Sequence, residues 1–575
     1  MPHAARISAC LAVLVAGGLL SACSTQPPLS PAARIAAAEA SGPAKVVPGT
    51  WSADTLYDLL VGEIAGQRDQ LDISLDAYLR QAKSLRDPAL AERATRIAWY
   101  ARDRERIREA TLLWVELAPQ DPEANANAVM GLIQAGEIEA ATPLLDRLLA
   151  DSATPVRFNF ILQYALVSEP DVRTRLASLL AGLSERHAGN AQLWLARATL
   201  ADMRGEAEDA LKLAQRSRAI EPHSADAIEL EGRLLAAAGH TRKALRLLHA
   251  GSREFPDQRD LRLTHLRVLL ENSRGDDARD ELADMRTRWP DDGDLALSLA
   301  VVEWETGHPA RAKELLIELA GSGYREDDAW HYAGRVALSE GKHEEAIGYF
   351  QNVRGPQFLA AQIQVAYALQ KTGRLPEARR LLAALRAQAP ESTTQLHVAE
   401  SDLLARAGDP QAAFALLDEA LAGNPDDPDL RYARAMAAER LGKIDLVESD
   451  LRALLSEHPE NPMVLNALGY TLTDRTDRHE EARLLIERAL ALSPEDPAII
   501  DSMGWVLFRL GRAEEALPWL RRAYARSPDA EIAAHLGEVL WSLGKKREAR
   551  RTWERARKID PDNAALKRTM ERLLP

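Results

Sequence analysis

The stretch IIDSMGWVLFRLGRAEEALPWLRRAYARSP (Ile499–Pro528) carries the pattern on which the fold depends. It reads helix, glycine, helix, proline. Gly511 has no Cβ to oppose a positive φ and so can close the first helix. Ala516, five residues later, is small enough for the two helices to approach closely. Pro528, twelve residues after Ala516, marks the turn out of the second helix, where its missing N–H does least harm.

The same punctuation recurs on both sides. Stretches such as AGHTRKAL, TGHPARAK, EGKHEEAI, TGRLPEAR and LGKKREAR each place an alanine five residues after a glycine. Measured from Ala210 through Ala244, Ala278, Ala312, Ala346, Ala378, Ala413, Val447, Ala482 and Ala516 to Ala549, the steps are 34, 34, 34, 34, 32, 35, 34, 35, 34 and 33 residues. A period held over eleven units is the signature of a repeat array, which comes before any other fold assignment. Ile500, Met503, Gly504, Leu507, Ala516, Leu520, Ala523 and Pro528 fall where the tetratricopeptide repeat has its signature residues, and the chain resembles that family over most of its length. The resemblance implies an all-α superhelical solenoid. Each unit then buries its apolar stripe only against its neighbours.

The predicted organisation has about eleven clear units over 191–562. About four divergent units precede them over 51–190, suggested by Ala77, Ala110, Ala141 and Ala177. A helix over 563–575 covers the last exposed face.

Composition agrees with helices. Ala, Leu, Arg and Glu are plentiful while aromatics make up only 5% of the chain. The net charge of −14 comes with no long basic run, which removes the electrostatic footprint of a nucleic-acid binder. The only cysteines are Cys10 and Cys23, so the body of the chain has neither a disulfide nor a thiolate metal site.

The opening of the chain reads as a targeting segment. Arg6 supplies a basic start, and Ile7 to Leu20 is an apolar run too short for the roughly 20 residues a membrane-spanning helix needs. Leu20-Ser21-Ala22-Cys23 resembles the lipobox of bacterial lipoproteins. That resemblance implies cleavage of residues 1–22 and a lipidated, palmitate-bearing Cys23. Two or more acyl chains anchor a protein stably where one does not. Ser24, in place of aspartate, implies the outer membrane, facing the periplasm. The proline- and alanine-rich residues 23–50 read as a tether.

The chain carries none of the usual catalytic signatures. It lacks H-E-x-x-H, a phosphate-binding G-x-x-x-x-G-K, G-x-G-x-x-G after a strand and G-x-S-x-G. His240, His308 and His343 fall at turns between helices, where an exposed polar residue is the plain expectation, and His479 with Glu480 sits in a similar turn. The acidic pairs Asp276-Asp277, Glu344-Glu345, Glu480-Glu481 and Glu514-Glu515 stand where second helices begin, and there they complement the helix dipole. The expectation is a non-enzyme with no cofactor and no metal.

What such an array offers is surface. In the repeat frame the concave face is lined by positions 2, 5, 9, 12 and 13 of each first helix. Threading the C-terminal units through that frame selects Asn466, Tyr470, Thr473, Asp474, Asp501, Trp505, Phe508, Arg509, Glu538 and Trp541 as groove candidates for an extended peptide or a partner helix. The same aromatics have a second reading, packing against the neighbouring unit. At the other end, Leu56, Leu59, Leu60 and Ile64 form an apolar stripe on an opening helix with Ser52 as its candidate N-cap. That stripe either docks a partner or caps the array.

Two stretches, Leu56–Asp103 and Asn466–Tyr524, are similar to the long tetratricopeptide outer-membrane lipoproteins of proteobacteria. That family includes the partner of the periplasmic carboxyl-terminal processing protease. The resemblance implies an adaptor that binds such a protease and presents protein substrates, notably cell-wall hydrolases. The alternative is a non-proteolytic scaffold for an envelope machine such as polysaccharide export or pilus assembly. Both share one fold and one lipid anchor.

Overall fold

The computed structural model describes residues 51–150, 158–561 and 563–574. The apolar opening, Cys23 and the proline-rich tether lie outside these. The described residues form 31 α-helices, α1 (Ala53–Gln67) to α31 (Ala564–Leu573), with two short 3-10 turns and no strand. They divide into two compact units, one running to Trp289 and the other beginning at Pro290. Within each unit successive helices pack as antiparallel pairs and each pair stacks on the next. Among the described residues no helix is long and apolar enough to cross a membrane.

The quoted stretch shows how the sequence produces this. Asp496 caps α27 (Pro497–Arg509), its carboxylate accepting from the backbone N–H of Ala498 at 2.8 Å and of Ile499 at 3.2 Å, and Pro497 occupies the first helical position. Gly511 ends the helix at φ +81°, and glycines end most other first helices the same way. Ala516, on α28 (Ala513–Arg526), is fully buried. Gly504 makes the pair tight: a Cβ there would stand 2.6 Å from Leu520 Cγ of the facing helix.

Most second helices begin differently. The residue ahead of α28 is Arg512, which makes no side-chain cap. A cation at that end opposes the helix dipole, and the first-turn acid answers it: Arg512 Nε donates to Glu515 at 2.8 Å. Arg478 with Glu481 and Arg374 with Glu377 repeat the device. All four acidic pairs lie in first helical turns.

Irregular steps in the period have local causes. The 32-residue step follows the eight-residue α18 (His343–Phe350). The chain after it is held by Asp327, whose Oδ2 accepts from Gly355 N at 2.9 Å, while Val353 is buried. The 35-residue step to Ala482 follows α25 (Pro462–Arg475), which runs on into an extended Thr476. Where the pattern lacks a glycine before Ala278, Ser273 takes φ +57°.

The four upstream alanines are not equivalent. Ala77, Ala110 and Ala141 are fully buried, but Ala177 is half-buried beside the core residues Leu176 and Leu180 of α8 (Pro170–Arg186). The neighbouring leucine faces inward because this helix packs by its leucine row, without a small-residue close approach.

Candidate protein-binding groove

Three first helices build the groove at the C-terminal end: α25, α27 and α29 (Ala530–Ser542). Their side chains meet across units. His535 Nδ1 lies 2.8 Å from Asp501 Oδ2, and the imidazole stacks on Trp505 with ring centroids 4.2 Å apart and planes 18° apart. Tyr470 reaches past α27 to donate its hydroxyl to Glu531 at 2.8 Å. Burial disfavours a charged imidazole, yet the Asp501 carboxylate beside His535 outweighs this and raises its pKa. Burial, reinforced by Glu531, also pushes the Tyr470 phenol up.

The groove residues chosen from the repeat frame divide into four groups. Asn466, Tyr470 and Asp501 line one cavity of about 640 Å³, together with Tyr432, Asp529 and Glu531. Asp474 and Arg509 are half-buried beside it, 3.9 Å apart, with Arg475 also on Asp474 at 3.2 Å. Trp505 is only 6% exposed and stacks on His535 of the next repeat, so its place is the interface between repeats and not an open face. Thr473 is likewise buried and donates to its own helix at Gly469 O. Phe508 is half-buried against Trp505.

Glu538 and Trp541 lie apart from this cavity. Glu538 pairs with Arg572 of α31 at 2.6 Å. Trp541 packs near Trp553 and carries Lys546 over its ring at 4.9 Å. Glu531 and His535 were not among the residues selected from the frame. Glu531 sits at the second position of its helix, so the rule reached it, but its meaning appears only when Tyr470 arrives from 61 residues away. His535, at the sixth position, points at the preceding unit.

Several buried polar atoms here have no partner among the described residues: Asp501 Oδ1, Asn466 Oδ1 and Trp505 Nε1. Groups of this kind cost about 1–3 kcal/mol each when no donor or acceptor pairs them.

At the opposite end, Ser52 caps α1 by accepting from Thr55 N at 3.1 Å. The predicted stripe does not turn inward as a whole. Leu59 packs on the core, whereas Leu56, Leu60 and Ile64, joined by Tyr57, remain 48% to 68% exposed. Thr55, Gly62 and Ala65 are the buried face instead, because Gly62 lets Ala77 and Tyr78 of α2 (Leu71–Leu85) approach within a Cβ contact.

Among the described residues, no set of three His, Cys, Asp or Glu is placed to hold a metal. Ser252, His265 and Glu281 come together, but both neighbours meet His265 at Nδ1, each at 3.4 Å, so no proton path crosses the ring. His343 is half-buried with an unpartnered Nδ1, unlike the exposed His240 and His308.

Comparison with known proteins agrees with this architecture. The tetratricopeptide repeat family matches residues 337–401, 404–469 and 507–573, and a second model of the same repeat matches 297–357. The chain is 37% identical over 491 residues to the TPR repeat-containing protein PA4667 of Pseudomonas aeruginosa, covering 85% of this chain and 83% of that one. It is 27% identical to the cellulose synthase operon protein C of Xanthomonas axonopodis, over 36% of this chain and 15% of that protein. Among solved structures, a thermophilic TPR protein of Thermus thermophilus is 25% identical, covering 32% of this chain and all of that one at a TM-score of 0.29. The Cut9–Hcn1 complex of the APC/C is 15% identical over 85% of this chain and 97% of that one, also at 0.29. By its repeat period, its helix-pair geometry and its extended match to the Pseudomonas protein, this chain belongs to the tetratricopeptide repeat family.

Proposed function

We propose that this protein is a periplasmic adaptor, held at the outer membrane by a lipidated Cys23, that binds a carboxyl-terminal processing protease and presents protein substrates such as cell-wall hydrolases to it. The observation that carries the reading is the outer face of α1. Leu56, Tyr57, Leu60 and Ile64 hold a contiguous apolar surface in solvent while the opposite face of the helix is fixed in the core. Four large apolar side chains on one exposed helix face are costly without a partner, and they match the anchors of a helix-mediated interface. The groove at the other end of the chain supplies a second, chemically different surface. A two-surface scaffold suits a protein that brings two others together.

A pull-down from envelope extract tests this. The chain starting at Ser24 is compared with one starting after Asp69 and with the double variant Leu56→Asp, Leu60→Asp. The expected result is a processing protease retained by the first and lost from the other two. Recovery of polysaccharide-export or pilus components in its place, without a protease, favours the assembly scaffold, a reading to which the partial similarity to the cellulose synthase operon protein lends support. Anchoring is tested separately: Cys23→Ser should abolish palmitate labelling and release the protein from membranes.

A further inference from the structure

We infer that the cavity between α25, α27 and α29 takes a lysine or arginine side chain from an extended protein segment. This rests on the reading of the array as a protein-binding scaffold and names the chemistry one of its surfaces selects.

The charge of the cavity is one-sided. Asp496, Asp501, Asp529 and Glu531 line it, and no lysine or arginine does. Two of these carboxylates have local work: Asp496 and Asp529 each use Oδ1 to cap a helix. Glu531 accepts from Tyr470. Asp501 is different. It is 5% exposed and lines the cavity; Oδ2 faces His535, and Oδ1 has no partner among the described residues. Asn466 Oδ1, one helix away, is a second buried acceptor with none. Both atoms call for a hydrogen-bond donor.

The nearby arginines do not supply it. Arg475 lies against Asp474 and Glu439, and Arg509 against Asp474. The walls favour a cation in a further way. Tyr432 and Tyr470 line it, and a positively charged head held over an aromatic ring is attracted by the ring's quadrupole. Met436 and Ile499 offer apolar surface to the methylene stem of a long basic side chain. A lysine or arginine thus satisfies the unpaired acceptors, the carboxylate excess and the aromatic walls at once. An apolar or acidic side chain leaves Asp501 unpaired.

The test is fluorescence anisotropy on the full soluble chain with three labelled twelve-residue peptides. One alternates serine with lysine, and the others carry norleucine or glutamate at the lysine positions. In about 150 mM salt, where long-range attraction is screened beyond a Debye length, the lysine peptide should bind at least about tenfold more tightly than the norleucine peptide, and the glutamate peptide should not bind. Asp501→Asn should weaken the lysine peptide about tenfold, while Glu514→Gln, at an exposed first-turn acid, should leave it within about twofold. Because Asp501 also meets His535, Ala467→Arg provides a second variant. It places a cation on the half-buried cavity wall without touching that pair, and should exclude the peptide.

Equal binding of the norleucine peptide overturns the cation preference and leaves a binding groove in place. Equal weakening by Asp501→Asn and Glu514→Gln reduces the effect to diffuse attraction by an acidic chain and also overturns it. No binding of any peptide removes the groove itself as a binding surface.

Discussion

Near the amino-terminal end, Asp69, Arg86 and Arg102 take the left-handed positions that follow helices, at φ 60°, 51° and 57°. Near the carboxyl-terminal end those positions belong to Gly442, Gly511 and Gly544, at φ 70°, 81° and 76°. The two regions reach one backbone conformation through different chemistry. After α2 and α3 (Pro88–Ala101) the link is two residues long, and the residue after the left-handed arginine is already an N-cap. Asp87 accepts from Ala89 N at 2.9 Å, and Asp103 from Glu105 N at 3.0 Å. In the C-terminal pairs a glycine makes the turn and the second helix starts without a side-chain cap. A cap thus stabilises the strained turns of one region, whereas the other avoids the strain.

The largest test of this contrast is in the cores. Trp553 on α30 (Lys546–Ile559) is fully buried and Trp114 on α4 (Arg104–Leu117) nearly so. Each substitution to alanine should cost about 3–5 kcal/mol. Because stability in such an array is close to a sum over neighbours, hydrogen exchange should accelerate near the altered unit and stay unchanged at the other end. Simultaneous loss of protection at both ends would refute local cooperativity.

Acid should separate the regions next. His331 on α17 (Glu326–Ser339) packs against Phe350, and burial, with Arg335 adding to it, lowers its pKa to about 4. An unfolded histidine binds its proton near pH 6.5. The neutral buried ring therefore favours folding above that pH, and this contribution is lost as pH falls toward 4. The loss should reach about 2–3 kcal/mol in the unit beginning at Pro290. His331→Gln should flatten that part of the pH dependence of denaturant midpoints.

Close approach gives a smaller effect. A Cβ on Gly537 would meet Trp553 Nε1 at 2.0 Å, whereas one on Gly131 would meet the Thr111 hydroxyl at 2.8 Å. Gly537→Ala should cost about 1–3 kcal/mol by forcing a rigid indole aside. Gly131→Ala, facing a small side chain that can rotate, should cost under about 1 kcal/mol. Equal costs would mean that the helix pairs yield equally at both ends.

The turns themselves give the smallest signal. Arg102→Gly should stabilise its unit by up to about 1 kcal/mol, and Gly511→Ala should destabilise its own by about 1 kcal/mol. Opposite signs in the local exchange rates would sharpen the contrast; matching signs would break it.

The amino-acid sequence by itself determined the local grammar. Gly511 five residues before Ala516 and the acidic pairs that open several second helices act within one or two helical turns, so spacing along the chain was enough to read them. Upstream the grammar was fainter because arginine and aspartate replaced glycine at the turns. Only the tertiary structure decided the groove. The pairing of Asp501 with His535 and the reach of Tyr470 to Glu531 join residues 34 and 61 apart. Which carboxylate keeps an unpaired oxygen depends on what the neighbouring units bring to it. A position within a repeat specifies a face; the side chains that arrive from adjacent repeats determine whether that face is open surface, interface or cavity.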